Sequence, residues 1–167
     1  MEWIFFPIDD YRVTRNDFDC GVPELNEYLK KYARQNDRRG ISKTFVAIPP
    51  GENSEVAGYY SVSMAEIKRE SLPDNYRKGL PCYPVPAMRI GKLAVSRAMQ
   101  GRGLGGELLM ESFRKAVNLS FEVGIFAVIV DAKNEEVKQF YLKYGFLPFV
   151  DNELSLFIPI STIIQLL

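Results

Sequence analysis

The stretch Gln100-Gly101-Arg102-Gly103-Leu104-Gly105-Gly106 carries the densest chemical signal in this chain, with four glycines between Gly101 and Gly106 directly ahead of an amphipathic run. Glycines let a backbone approach a ligand closely, and the start of a helix offers unpaired N–H groups to an anion. Arg97 and Arg102 add positive charge. The natural ligand of such a loop is a phosphate or pyrophosphate.

Three readings of the loop compete on the residues alone. A phosphate cradle of the Walker type ends in Gly-Lys-Ser/Thr. Here Gly105-Gly106 is followed by Glu107, so that reading fails. A dinucleotide fingerprint is formally present at Gly101, Gly103 and Gly106, with Asp131 at the end of the next strand. That fingerprint needs a tight turn after its strand, and Ser96 to Gln100 intervene. The chain also supplies too few βα units for a doubly wound sheet. The remaining reading, a merely flexible loop, fits poorly with four glycines set so close to a helix start.

Composition narrows the chemistry further. The chain has 167 residues, 47% hydrophobic and 25% charged, which suits one folded domain spanning 1–167. Twenty-one Lys+Arg balance 21 Asp+Glu, so no global field marks a nucleic-acid binder. The absence of histidine removes histidine triads, histidine-rich zinc sites and histidine-ligated haem. Cys20 and Cys82 form no CxxC pair and are expected to be small buried residues; no metal site is expected. The N-terminus lacks the basic start and long apolar stretch of a signal peptide, and Ile125–Val130 is too short to span a bilayer. The expectation is a soluble cytoplasmic protein without a membrane partner.

These residues need elements to position them. Trp3–Phe6 reads as an opening strand. Pro23 suits a first helical turn, and Leu25, Tyr28, Leu29, Tyr32 and Ala33 recur at helical spacing to about Asn36. Thr44–Ile48 and Val56–Ser63 read as strands about a turn at Pro49–Asn53. Residues 66–86, polar and rich in proline, read as a loop with one short helix. Ile90–Val95 is a strand leading into the glycine loop. Leu104, Leu108, Ser112, Ala116 and Leu119 mark one face of the following helix. Ile125–Val130 reads as a buried strand. Asn134 is an N-cap with Glu135 and Glu136 behind it, and Gly145 is the stop signal. Phe146–Val150 and Leu154–Ile158 read as a hairpin about Asp151–Glu153, with a last helix over Ser161–Leu167. The order is hairpins first, then β-α-β-α-β.

Taken together, Gly91-Lys92-Leu93-Ala94-Val95, Gln100-x-x-Gly103-x-Gly105, Asp131–Asn134 and Phe140-Tyr141-Leu142-Lys143-Tyr144-Gly145-Phe146 resemble the GNAT N-acetyltransferase superfamily over roughly residues 40–160. Phe18-Asp19-Cys20-Gly21, then Leu25-Asn26-Glu27-Tyr28-Leu29, Gly58–Ser63 and the apolar tail from Leu154 are similar to GNAT toxins of bacterial type II toxin–antitoxin modules. Lys92 stands where that family typically has arginine. The resemblance implies an α+β fold, with a central mixed, mostly antiparallel twisted sheet of about six to seven strands flanked by helices.

It also implies a reaction: acetyl transfer from acetyl-CoA to a primary amine, the α-amine of an aminoacyl-tRNA in the toxins. Leu93, Ala94 and Val95, the loop residues Gln100, Gly101, Arg102, Gly103, Leu104, Gly105 and Gly106, and Asn134 and Tyr141 would hold acetyl-CoA. Tyr141, a phenol of ordinary pKa near ~10, would protonate the departing thiolate. A ribbon-helix-helix antitoxin is the implied partner, and the expected assembly is a homodimer. No strong general base is evident; Glu66 is a candidate only by its position after a strand. An α-amine titrates near ~7.7–8.0 against ~10.4 for lysine, so a histidine-free site suits α-amines better. An acetyltransferase for a small amine or protein N-terminus, and a non-catalytic acetyl-CoA-binding regulator, stay open.

Between Tyr28 and Lys43 stand Lys30, Lys31, Arg34, Arg38, Arg39 and Lys43 against Asp37, a local excess of five positive charges. Such a run is a solvated helix face or a phosphate-binding surface. Lys30, Arg34 and Arg38 are the candidate contacts to RNA.

Overall fold

A computed structural model describes residues 2–10, 12–51 and 55–167. Its strands are β1 (Ile4–Pro7), β2 (Lys43–Ile48), β3 (Gly58–Ile67), β4 (Val85–Val95), β5 (Ala127–Asp131), β6 (Leu147–Pro148) and β7 (Ser155–Pro159). Its α-helices are α1 (Pro23–Glu27), α2 (Ala33–Arg38), α3 (Asp74–Arg77), α4 (Leu104–Ser120), α5 (Glu135–Lys143) and α6 (Ile160–Leu166). The strands form one seven-stranded sheet in the order β1-β2-β3-β4-β5-β7-β6. The β1–β2, β2–β3, β5–β7 and β6–β7 pairs are antiparallel, whereas β4–β5 is parallel. This is the mixed α+β sheet expected.

The chain divides into two compact units. The first holds residues 1–63 and 91–112, the second 64–90 and 113–167. The core of the first gathers Ile8, Phe18, Cys20, Leu29, Ala33, Val46, Ile48, Tyr59 and Ala94. Phe18 meets the Tyr59 ring edge-on at 5.5 Å. Leu29 and Ala33 are fully buried, so truncating Leu29 to alanine costs ~2–5 kcal/mol. The core of the second gathers Ile67, Leu72, Val85, Ala87, Ala127, Ile129 and Phe157. There the strongly apolar β5 is buried from Ala127 to Val130.

Several boundaries differ from the sequence expectation. The segment 66–86 is less of a loop than its prolines suggest, because β3 runs on to Ile67 and β4 begins at Val85. Pro86 sits inside β4 with its ring exposed, and its carbonyl accepts from the Phe126 N–H at 2.9 Å. The short helix expected there is α3. Of the turn expected at Pro49–Asn53, Glu52 and Asn53 lie outside the described residues. The strand after Gly145 shrinks to Leu147–Pro148.

The first helix also winds differently. Between α1 and α2 the turn Tyr28–Tyr32 is π-helical, and the Ala33 N–H reaches back five residues to the Tyr28 carbonyl. The wider turn shifts the apolar stripe, so Tyr32, expected to be buried, is 47% exposed. On α4, Leu104, Leu108, Ser112 and Ala116 are buried as expected, but Leu119 in the last turn is exposed.

Candidate functional site

In the first unit β4 ends at Val95 and the chain turns into the glycine loop through a 3₁₀ turn at Arg97–Met99. Backbone bonds stitch this turn down. The Ser96 N–H donates to the Ala57 carbonyl and the Arg97 N–H to the Asp19 carbonyl, both at 2.8 Å. The Gln100 side-chain amide donates to the carbonyls of Val95 at 3.0 Å and Cys20 at 3.2 Å. Gln100, expected on the cofactor, therefore clamps the start of the loop to the end of β4.

The Phe18–Gly21 opening is the seat of that clamp. The Asp19 carboxylate accepts from the Gly21 N–H and from Asn26 Nδ2, while Asn26 Oδ1 accepts from the Cys20 N–H. These bonds, the Gly21 N–H first, and the charges of Arg97 and Lys30 hold Asp19 below the usual carboxylate range. Phe18 and Cys20 are buried beneath. The opening motif thus fixes two carbonyls on which the glycine turn rests, a role that residue type alone does not reveal.

Gly101 and Gly103 have φ of +81° and +82°, and a Cβ at either position would meet nothing within 4 Å. The left-handed backbone requires glycine, and the space outside the loop is open. α4 then starts at Leu104 and runs for 17 residues. Its first N–H groups, Gly105 and Gly106 among them, have no acceptor within the helix. Open space, helix-start N–H groups and the exposed Arg97 and Arg102 together fit a pyrophosphate. Leu104 itself is buried and anchors the helix start. Gly58 on β3 serves the same end, since a Cβ there would stand 2.9 Å from the Ala94 carbonyl and 3.0 Å from Leu104 Cδ2. Leu93 and Val95 are half-buried and Ala94 is buried in the core.

In the second unit Asn134 caps α5, its Oδ1 accepting from the Val137 N–H at 2.9 Å. That bond confirms the cap and leaves the Asn134 amide N–H₂ as the group able to face a ligand. Tyr141 is buried, with ring contacts to Phe140 and Phe146, each at 5.2 Å between centroids. Burial pushes its phenol up to about 12, so the hydroxyl stays protonated well above neutral pH. Gly145, at φ +100°, ends the helix as expected. Glu66 lies on β3, not in a loop, and lines a cleft of about 310 Å³ with Arg89, Asp131, Asp151 and Ser155. There the Asp131 carboxylate accepts from Arg89 and from Ser155. Cys20 is buried as expected, but Cys82 is exposed, because its proline-rich segment offers no core to bury it.

The basic face is less uniform than its charge count. Lys31 pairs with Glu27 at 3.6 Å and Lys43 with Asp37 at 3.3 Å. Lys30, Arg34 and Arg38 have no carboxylate within salt-bridge distance among the described residues. Arg34 Nη2 donates to the Ile8 carbonyl at 3.3 Å. Two cations of this unit lie outside the basic run, and the first of them escaped the sequence reading for want of helical periodicity. One is Arg15, whose Nη1 donates to the Leu29 carbonyl at 2.8 Å. The other is Lys92, whose ammonium lies over the Tyr28 ring.

Residues 11–146 match the model of the Acetyltransferase (GNAT) family. The chain belongs to the GNAT acetyltransferase family. It is 34% identical over 129 residues to a tRNA-acetylating toxin of Mycobacterium tuberculosis, covering 77% of this chain and 75% of that protein. It is 26% identical over 172 aligned positions to a probable toxin TacT of Sinorhizobium fredii, covering 98% and 94%. Among solved structures, a mutant of KacT superposes with a TM-score of 0.94 at 30% identity over the whole of both chains. AtaT complexed with acetyl-methionyl-tRNAfMet gives a TM-score of 0.92 at 30% identity over 99% of each chain. A mutant AtaT bound to acetyl-CoA and the C-terminus of the antitoxin AtaR gives 0.85 at 27% identity, covering 99% and 98%. The GNAT acetyltransferase fold and the likeness to the toxin subgroup are therefore those expected from the sequence. No helix among the described residues is long and apolar enough to cross a membrane.

Proposed function

We propose that this GNAT acetyltransferase transfers acetyl from acetyl-CoA to the α-amine of an aminoacyl-tRNA and so blocks translation. The likeness to AtaT complexed with acetyl-methionyl-tRNAfMet, over nearly the full length of both chains, carries the reading. The three cations Lys30, Arg34 and Arg38, free of carboxylate partners among the described residues, support it.

The division of labour follows from the chemistry. The glycine loop and the first N–H groups of α4 take the pyrophosphate, with Arg97 and Arg102 beside them. Asn134 offers its amide N–H₂ to the pantetheine arm. Backbone N–H groups of Leu93–Val95 polarise the thioester carbonyl, which stabilises the oxyanion as the amine attacks. Tyr141 presents its hydroxyl to the sulfur as the C–S bond breaks and the C–N bond forms. The α-amine, with a pKa near ~7.7–8.0, has a usable neutral fraction near neutral pH without a histidine base, far more than a lysine at ~10.4. A ribbon-helix-helix antitoxin, a homodimer and a cytoplasmic location complete the proposal. Exposed Phe121 and Val123, just past α4, supply apolar surface for an assembly.

Incubation with labelled acetyl-CoA and total charged tRNA tests the reading. The expected result is label in the tRNA fraction, released by mild alkali as N-acetyl amino acid. Replacing both Arg34 and Arg38 by glutamate should abolish that labelling. Rapid turnover of a polyamine or peptide with no labelled tRNA would move the assignment to a small-amine or N-terminal acetyltransferase. Binding of acetyl-CoA without any turnover would make the protein a regulator.

A further inference from the structure

The π-helical turn Tyr28–Tyr32 does more than shift the apolar stripe. A turn wound with five-residue spacing loosens the regular ladder and leaves room for a side chain to reach its carbonyls. Arg15, which precedes the helix by a loop, donates Nη1 to the Leu29 carbonyl at 2.8 Å inside that turn. Arg34 and Arg38 follow one helical turn apart and share one flank of α2. Arg34 is pinned through Nη2 to the Ile8 carbonyl, and its Nε is buried with no hydrogen-bond partner.

Arg15 and Arg34 are thus each tied to a backbone carbonyl, Arg38 stands one helical turn beyond Arg34, and none of the three has a carboxylate within salt-bridge distance among the described residues. Burial and the like charges of Arg34 and Arg38 push the Arg15 guanidinium below its ordinary pKa. Like charges crowded around an unsatisfied donor are costly unless an anion joins them. Guanidinium forks suit the oxygens of a phosphodiester, and those of Arg15 and Arg34 are already anchored by one nitrogen each.

We propose that Arg15, Arg34 and Arg38 form a discrete phosphate-binding site, assembled by the π-helical turn, that grips one phosphodiester of the RNA substrate. The inference rests on the tRNA reading above. It adds Arg15, a residue outside the basic run, and it replaces a diffuse basic face by three named guanidiniums, two of them anchored.

The test is binding of uncharged total tRNA across a salt series, alongside steady-state acetylation of charged tRNA. The proteins compared are wild type, Arg15→Gln, Arg15→Lys and Arg38→Gln. Thermal melting confirms that each variant is folded; exposed Arg38 supplies a variant with little structural risk. In Arg15→Gln the salt slope should flatten by up to about 0.7–0.9, the full contribution of one phosphate, and affinity should fall ~5-fold near 0.1 M salt, for all tRNAs alike. Acetylation should show this as a raised KM with kcat retained, and Arg15→Lys should restore part of it. Arg38→Gln should flatten the slope similarly. Wild-type affinity and slope in Arg15→Gln and Arg38→Gln would overturn the site while leaving tRNA acetylation standing. Unchanged tRNA binding, with lost binding of a poly-glutamate peptide, would also overturn it in favour of an acidic protein partner. Weakened tRNA binding in the variants of a protein that acetylates no charged tRNA would uphold the site and sink the substrate reading.

Discussion

The ammonium of Lys92 lies 4.4 Å from the centroid of the Tyr28 ring. The Tyr28 hydroxyl shares a 2.7 Å bond with Ser42 and accepts from Asn36 Nδ2 at 3.3 Å. Burial alone would raise this phenol, but bonds from Ser42, Asn36 and Ser61, with the Lys92 charge, lower it. Tyr28 should therefore ionise below the ordinary tyrosine value of ~10. Absorbance titration near 295 nm, taken as the difference between wild type and Tyr28→Phe, measures it. Ser42→Ala and Lys92→Met should each move the transition up. A Tyr28 that titrates at or above free tyrosine would contradict this network.

Two glycines near the loop should respond to substitution in opposite ways. Gly58→Ala sets a Cβ 2.9 Å from the Ala94 carbonyl oxygen and 2.9 Å from Leu108 Cδ1. A backbone carbonyl cannot swing aside, so a global loss of ~1–3 kcal/mol is expected in denaturant melts. Gly103→Val meets no such wall but sits at φ +82°. It should cost ~1–2 kcal/mol of stability and weaken acetyl-CoA binding by far more than that strain suggests. Calorimetric titration with acetyl-CoA separates the cases, and equal affinity for wild type and Gly103→Val would discard the loop as the pyrophosphate seat.

Gln100→Glu removes the two donated bonds and faces a carboxylate toward the Val95 and Cys20 carbonyls. Each lost bond is worth ~0.5–1.5 kcal/mol, and like-sign dipoles add to the cost. The loop should loosen, and acetyl-CoA affinity should drop with it. Hydrogen exchange at Gly101–Gly106, faster in the variant, would show the cause; unchanged exchange with lost affinity would return Gln100 to direct contact.

For Tyr141 the informative axis is pH. The α-amine must lose a proton to attack, so the rate should climb through about 7.7–8.0. Burial pushes the Tyr141 phenol up to about 12, so its proton is still present when the amine is fully neutral. Initial rates should therefore plateau with no descending limb up to about pH 10, where an ordinary tyrosine would already be half ionised. Tyr141→Phe should lower turnover by about 10²–10⁴-fold with acetyl-CoA affinity nearly intact. A variant that keeps most of its activity would leave Tyr141 as a packing residue.

What could be read in advance was local. The Asn134 cap, the Gly145 stop and the glycine loop ahead of α4 follow from residue type and spacing, and the structure has all three. What could not be read depends on residues far apart in sequence. Gln100 was expected on the cofactor, and nothing in its type or spacing pointed to its bond with the Cys20 carbonyl, eighty positions earlier. Arg15 carried no periodic signal and gained meaning only from the Leu29 carbonyl. The prolines at Pro81, Pro84 and Pro86 argued for a loop, whereas pairing with β5 from Ala87 extends β4. Tertiary pairing overrode propensity in that segment.

The winding of Tyr28–Tyr32 sets a rule about chain length that differs from any rule about residue type. A π-helical turn accommodates one residue more than regular winding needs. Deleting a single residue there should restore an ordinary ladder while the chain on either side keeps its rotation about the axis, so Leu25 stays beside the core that holds Leu29 and Ala33. The cost falls elsewhere: in a regular ladder the Leu29 carbonyl is taken by the N–H four residues on, and Arg15 loses its acceptor. Lys31 and Tyr32, both exposed, are where the spare residue can be given up, so this turn tolerates a shorter chain at the expense of one anchored arginine.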